Sequence, residues 1–427
     1  MGYEKSLKLY DEAINLIPSA TQTFSKGARQ YPFGAAPIFL AKGKGSHVWD
    51  VDGNEFIDYP MALGAIILGH SYPSVNRAIM QQLEKGIVYS LPHPLEVELA
   101  EILVEIIPCA EMVRFGKNGS DATAGAVRTA RAYTGRDKVA CCGYHGWQDW
   151  YIGTTTRNAG VPGAVQDLTL TFTYNDIDSL KKVFDENKGQ IAAVIMEPVG
   201  IVEPKNRFLQ QVKELAHKNG ALLIFDEVVT GFRMGLGGAQ QYFNVIPDMA
   251  CIGKAMANGL PISCVVGRKE IMETFDEVFF SFTFGGECLS LAAAIATISE
   301  MMKKNVIKKI WANGKKLQEG YNCLAQEMNL GHITQCAGLP PHTVITYDNL
   351  GEIDPLLIRT LFQQEAIKRG VLAIGVHNVC YSHSSEDIDK TLKAYRGTLQ
   401  VINEALADGD IKRFLKGKVV RPVFRKP

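Results

Sequence analysis

Four short, wholly apolar runs constrain this chain most: Val139 to Cys142, Ile191 to Met196, Ala221 to Phe225 and Met249 to Ile252. Each has the length of a strand, and no polar residue interrupts it. Helical patterns lie between them. In Phe208 to Asn219, for example, Leu209, Val212, Leu215 and Ala216 fall on one face. Strands apolar on both faces, alternating with amphipathic helices, predict an α/β fold around a mostly parallel sheet covered on both sides.

A chain of 427 residues exceeds one small core. The spacing predicts three stretches: 1–60 and 311–427 forming a smaller α+β domain, and 61–310 forming the large one. The large-domain boundary is expected near Lys304 to Lys315. At the start, Leu7, Tyr10, Ile14 and Ile17 share a helical face. From Gly43 to Asp58 two short strands are expected around an Asp52-Gly53 turn. Lys+Arg and Asp+Glu both number 45, so the net charge is zero. No global field recruits nucleic acid or a membrane surface, and any anion must be held locally. The basic stretch Lys412 to Lys426 reads as a solvated or surface-packed tail. Nine cysteines, none in a C-x-x-C pair, read as free thiols in a reducing cytoplasm. The charged start of the chain and the lack of a long apolar run argue against a leader peptide and a membrane span. No metal site is expected.

The chemistry collects at strand ends. Asp226 closes the run Ala-Leu-Leu-Ile-Phe. Ligands of open α/β sheets gather at such carboxyl ends, and a charge there needs a partner. Alone, Asp226 reads as a helix cap or half of a salt bridge. Lys254, at the end of the next apolar strand after Gly253, changes that reading. A desolvated lysine loses basicity and becomes a nucleophile. An acid and an amine from successive βα units suit the two edges of one cationic heterocycle. Lys117-Asn-Gly-Ser-Asp opens a helix of small residues, so Gly119 and Ser120 suit a phosphate. Tyr144, in Cys142-Gly-Tyr-His-Gly-Trp, is an aromatic placed to stack on a flat ring. Ser281-Phe-Thr-Phe-Gly-Gly is a second expected phosphate contact.

In this order the pieces resemble the class III aminotransferases of fold type I, which use pyridoxal 5′-phosphate (PLP). The branch most similar is that of the glutamate-1-semialdehyde aminomutases. The resemblance rests on "KGKGSHVWDVDGNEFID", "GKNGSDATAGAVRTAR", "YHGW", "AAVIMEPVG", "LLIFDEVVTGFR" and "PDMACIGKAMANGLPISCVVG", and it covers nearly the whole chain. It implies a seven-stranded, mostly parallel sheet. It implies Lys254 as the Schiff-base lysine, Asp226 on the pyridine nitrogen and Val228 beneath the ring. It further implies Tyr144 above the ring, Gly119 and Ser120 on the phosphate, and Glu197 ordering hydrogen bonds on the substrate side. Thr283 is similar to a threonine that reaches the phosphate of a neighbouring subunit, which implies a homodimer with shared active sites.

Departures from the aminomutase pattern bear on substrate. Gly375-Val-His-Asn-Val-Cys-Tyr-Ser-His383 places His377 and Asn378 where the aminomutases carry a glutamate. A His/Asn pair suits a hydroxyl-rich ligand. The segment with Lys26 and Arg29 resembles surface-polysaccharide aminotransferases, and both cations suit a substrate carboxylate. The expected reaction moves an amino group from L-glutamate, leaving 2-oxoglutarate, to a keto-sugar acid. A candidate acceptor is the oxidised 8-position of a 3-deoxy-octulosonic acid, for lipopolysaccharide. The alternatives are the aminomutase isomerisation and, behind it, PLP decarboxylation or racemisation.

Overall fold

The computed structural model describes residues 1–349, 351, 353–421 and 423. The chain forms two compact units. Among the described residues, one takes in Met1–Tyr72 and those from Lys308 on, and the other is Pro73–Ile307. Among the described residues no helix is long and apolar enough to cross a membrane.

The larger unit is built on seven strands: β1 (Met112–Gly116), β2 (Lys138–Cys142), β3 (Thr169–Thr171), β4 (Ile191–Met196), β5 (Leu222–Glu227), β6 (Met249–Ile252) and β7 (Ser263–Gly267). They run in the order β1-β7-β6-β5-β4-β2-β3. Every pairing from β3 across to β6 is parallel, and β7 runs antiparallel to both neighbours. Strands β4 to β7 are buried along their whole length, as runs without polar interruption require. In the β5–β6 register Asp226 lies beside Cys251, so Lys254 leaves the sheet three residues beyond the neighbour of Asp226.

Helix α1 (Gly119–Thr134) starts at the end of β1. Asn118 and Asp121 form a reciprocal capping box, and Gly135 ends the helix in the left-handed region. Its buried face is small: Ala122, Thr123, Ala126 and Ala130. Small side chains let α1 approach the sheet closely and hold its N-terminus at the carboxyl edge.

The smaller unit contains the expected hairpin. His47–Asp50 pairs antiparallel with Glu55–Asp58, and the Asp50 carboxylate accepts the backbone N–H groups of Asp52 and Asn54 across the turn. Two further strands, Leu40–Lys44 and Val371–Leu372, flank it, the latter in parallel. This unit extends to Tyr72 rather than ending at 60. Tyr381 N–H donates to the Ile67 carbonyl, Ser382 Oγ to that of Leu68, and Gly45 and His70 pair backbone to backbone. The basic tail is stitched down as far as Arg421. Lys418 N–H donates to Phe33 O, Arg421 N–H to Arg29 O, and Gln30 Nε2 to Arg421 O. Its end, with Lys426, lies outside the described residues.

The core of this unit contains histidine. His383 stacks on Tyr59 with ring centres 4.7 Å apart. His377 meets the same ring edge-on at 5.0 Å. Burial depresses the His383 pKa to about 4, against the opposing pull of Asp387 and Asp58. Burial with the neighbouring His383 and His342 depresses His377 to about 3. An unfolded histidine titrates near 6.5. The unfolded chain therefore binds more protons below that pH, and stability present above 6.5 is lost as pH falls toward 4. The melting temperature should fall across that window. His383→Gln, which keeps an acceptor for the Cys380 N–H, should flatten the fall. A melting curve equally steep with and without His383 would contradict this.

Candidate active site

Three loops of the larger unit converge at the carboxyl edge of the sheet. The first is the turn from β1 into α1. Gly119 stands against Val228, which follows β5: a Cβ on Gly119 would lie 2.8 Å from a Val228 methyl. The same methyl lies 3.7 Å from a Cβ built on Gly253, the residue before Lys254. Val228 thus touches both the phosphate turn and the lysine turn. The second loop is Gly143–Trp147. A Cβ on Gly146 would collide with Ser120 Oγ, and the Trp147 N–H donates to that same oxygen at 3.2 Å. Gly146 has φ +104°, so the loop needs glycine twice over. The third is the turn after β6, where Lys254 itself has φ +41°. A left-handed lysine costs about 1–2 kcal/mol, and such outliers gather at functional sites.

The charged groups lie together, Asp226 buried and Glu197 and Lys254 partly buried. Asp226 is 5 % exposed. Its Oδ1 accepts the Val228 N–H at 3.1 Å, and its Oδ2 lies 2.8 Å from His145 Nδ1. Glu227 points the other way, as alternation along a strand requires. It accepts from Thr230 Oγ1, from the N–H groups of Ala239 and Gln240 and from Gln240 Nε2, while burial pushes its pKa up. Glu197, just past β4, accepts the Tyr144 N–H at 3.0 Å. Burial and the nearby Asp226 charge raise its pKa. Burial lowers that of Lys254, more than the attraction of Glu197 and Asp226 restores it. A lysine held below its usual range presents more free amine, the form that attacks carbonyls and accepts protons.

His145 carries a role that sequence reading missed. It is fully buried, stacked against Trp150, and both ring nitrogens are engaged. Nε2 faces the Cys142 carbonyl at 3.1 Å, which only accepts, so Nε2 carries a hydrogen. Nδ1 in turn meets the Asp226 carboxylate, so the ring ties the acid to the backbone at the end of β2. "YHGW" put the histidine on the page; only the fold shows what it faces.

The other expected residues fall as follows. Tyr144 is half exposed beside Tyr151, its ring packed edge-on at 5.6 Å. Thr283 is exposed on the segment before helix α2 (Cys288–Lys303). In the smaller unit, the Lys26 and Arg29 side chains are exposed. His377 and Asn378 are not open to a ligand there. His377 contacts Tyr395 Oη and Thr343 Oγ1 through its two nitrogens, at 2.8 and 2.9 Å. Asn378 donates to the Pro60 carbonyl, and its Oδ1 faces His342. Their polarity serves packing, which corrects the expectation of a substrate-facing pair.

These residues fit PLP. A buried acid suits a pyridinium edge and a desolvated amine suits an aldehyde. The N-terminus of α1, with a backbone left bare by Gly119 and a hydroxyl on Ser120, suits a phosphate. Gly119→Ala should drive a methyl into Val228 and weaken cofactor binding by about 1–3 kcal/mol. Val228→Ala in the same chain should recover most of it. Titrating cofactor into stripped protein measures both, and no recovery in the double variant would refute the steric account.

Residues 30–390 match the family model described as aminotransferase class-III. The 3-aminobutyryl-CoA aminotransferase of Cloacimonas acidaminovorans is 37% identical over 412 residues, covering 94% of this chain and 98% of that protein. The glutamate-1-semialdehyde 2,1-aminomutase of Archaeoglobus fulgidus is 36% identical, over 93% of this chain and all of that protein. Among solved structures, the FumI protein of Sphingopyxis sp. MTA144 in its PLP form superposes with a TM-score of 0.88 at 27% identity, covering 98% of this chain and 99% of that one. With the acid, the amine and the phosphate turn assembled on a seven-stranded sheet of this order, the chain belongs to the class III aminotransferases and is a PLP-dependent enzyme of fold type I.

Proposed function

We propose that this enzyme moves an amino group from L-glutamate to a small carbonyl acceptor, with Lys254 Nζ as the proton carrier. The observation that carries the reading is the grouping of partly buried Lys254 and Glu197 with buried Asp226 at the ends of neighbouring strands. When bound, PLP supplies an aldehyde that takes up the amine and a cationic ring that absorbs the electron pair of a broken C–H bond. Asp226, backed by His145, holds the charge opposite the ring nitrogen. Lys254 Nζ, made less basic by burial, takes the Cα proton and gives it to the carbon on the far side of the transferred nitrogen. Positioned acid–base transfer of this kind contributes about 10²–10⁴-fold. Glu197, raised in pKa, orders hydrogen bonds on the substrate side.

The finer acceptor reading is a keto-sugar acid such as the oxidised 8-position of 3-deoxy-octulosonate, for lipopolysaccharide. It now rests on the exposed cations Lys26 and Arg29, because His377 and Asn378 give it no support. Kinship with the aminomutases favours a second reading, isomerisation of glutamate 1-semialdehyde without an external donor. The Cloacimonas relative adds a third, a 3-aminoacyl-CoA donor. We also read the working form as a homodimer with Thr283 serving the partner's phosphate. Phe279, Phe282, Phe284 and Leu91 are exposed around that segment, more apolar surface than a lone chain favours. All nine cysteines are free, which supports a reducing compartment such as the cytoplasm.

Mixing the coloured holoenzyme with L-glutamate should convert the aldehyde form of the cofactor to its amine form and release 2-oxoglutarate. Failure with glutamate alongside conversion by 3-aminobutyryl-CoA would move the donor. Production of 5-aminolevulinate from the semialdehyde alone would establish the isomerase. Lys254→Ala should abolish the borohydride-reducible adduct. Arg29→Ala should raise the acceptor's KM more than the donor's; equal effects would argue against an acceptor-carboxylate role.

A further inference from the structure

Lys117 lies two residues before Gly119, outside every role assigned above. Its backbone N–H donates to Asp121 Oδ2 at 3.1 Å, within the capping box of α1. Its ammonium reaches across to Glu287 Oε2, also at 3.1 Å. Both side chains are mostly covered, 18% and 13% exposed, so their attraction is weakly screened. Glu287 is the fixed partner. It caps α2, accepting from the N–H groups of Leu289 and Ser290 and from Ser290 Oγ. Lysine, on a four-carbon stem, is the movable one.

The pair joins two N-termini of different use. Helix α1, sixteen residues long, offers its first turn to the phosphate. Helix α2, equally long, follows the exposed segment Ser281 to Gly286. That segment is tied down upstream, where Arg128 donates to Phe279 O and Arg114 to Phe280 O. Downstream, Glu287 N–H donates to Phe284 O and Cys288 N–H to Ile87 O. Between those anchors Phe282, Thr283 and Phe284 stand in solvent.

We propose that Lys117 and Glu287 are positioning residues that couple phosphate occupancy at Gly119–Ser120 to the docking of segment 281–287 on a second copy of the chain. The inference rests on the homodimer reading. A phosphate at the start of α1 and the Glu287 carboxylate are two anions flanking one cation. Lys117 offsets both, and the arrival of either anion fixes the ammonium for the other. Removing either charge uncouples them. Lys117→Met leaves Glu287 facing the phosphate and weakens cofactor binding. Glu287→Gln keeps the capping oxygen but no longer fixes the ammonium, so it weakens cofactor binding and loosens the segment. Independent losses of packing would add in the double variant, whereas the loss of one shared ion pair does not.

The test measures dimer dissociation by sedimentation, with and without cofactor, and cofactor affinity by titration into stripped protein. It uses wild type, Lys117→Met, Glu287→Gln, the double variant and Lys117→Arg. Melting curves check folding in each. In the wild type the cofactor should tighten the dimer about tenfold, within the usual range of linkage between sites. Each single substitution should remove most of that linkage, the double should lose no more than either, and Lys117→Arg should retain it. Folded variants whose linkage matches the wild type, or a double variant that loses as much as the two single variants together, would overturn the inference while leaving the dimer intact. A wild-type holoenzyme that sediments as a monomer would overturn the dimer reading and the inference with it.

Discussion

Asp226 and Lys254 are paired by the sheet before they are paired by charge. β5 and β6 are parallel neighbours with Asp226 beside Cys251, so both groups emerge at one edge of the sheet. Neither group is stable there alone, since an ionised side chain out of water costs several kcal/mol without a counter-charge. The fold meets that cost with neighbours already in place. Asp226 takes a hydrogen bond from Val228 N–H and meets His145 Nδ1 at 2.8 Å. Lys254 is left below its usual basicity by burial. A less basic amine beside a carboxylate is what the proposed chemistry draws on.

The surrounding backbone serves that placement. Gly119 on the first loop and Gly143 and Gly146 on the second allow approaches so close that Val228, Glu197 and Ser120 fill the space a side chain would take. Small residues along α1 bring its N-terminus to the same edge. A loose loop would let water return around Lys254 and restore its basicity. Close packing therefore controls reactivity through desolvation.

Much of this was legible in the sequence because strand ends are one-dimensional features. An apolar run that stops at Asp226, and another that stops at Gly253-Lys254, mark their own exits from the sheet. Pairings made only by folding were not legible. Nothing near His145 in sequence announces Asp226, eighty-one residues away. His377 and Asn378 show the opposite failure. Polar residues in an apolar stretch read as ligand contacts, yet the fold supplies them Tyr395, Thr343, His342 and Pro60. Composition says that a buried polar group needs a partner; it does not say whether that partner is substrate or protein. Strand direction was equally hidden. Ser263–Gly267 is as apolar as its neighbours but runs antiparallel between β6 and β1, a choice set by the short connection from Lys254.

That short connection closes the argument about Lys254. Ten residues separate the end of β6 from the start of β7 (252 to 263), too few for a helical crossover. The chain must reverse, and Lys254 turns into a tight 3₁₀ segment with positive φ as it does. In a parallel continuation the residue after Gly253 would enter a helix pointing away from the sheet edge. The reversal instead keeps Lys254 next to Gly253, whose missing side chain would meet Val228 at 3.7 Å, at the edge where Asp226 emerges. The antiparallel strand, which looks like an irregularity of an otherwise parallel sheet, thus follows from the short connection that carries Lys254.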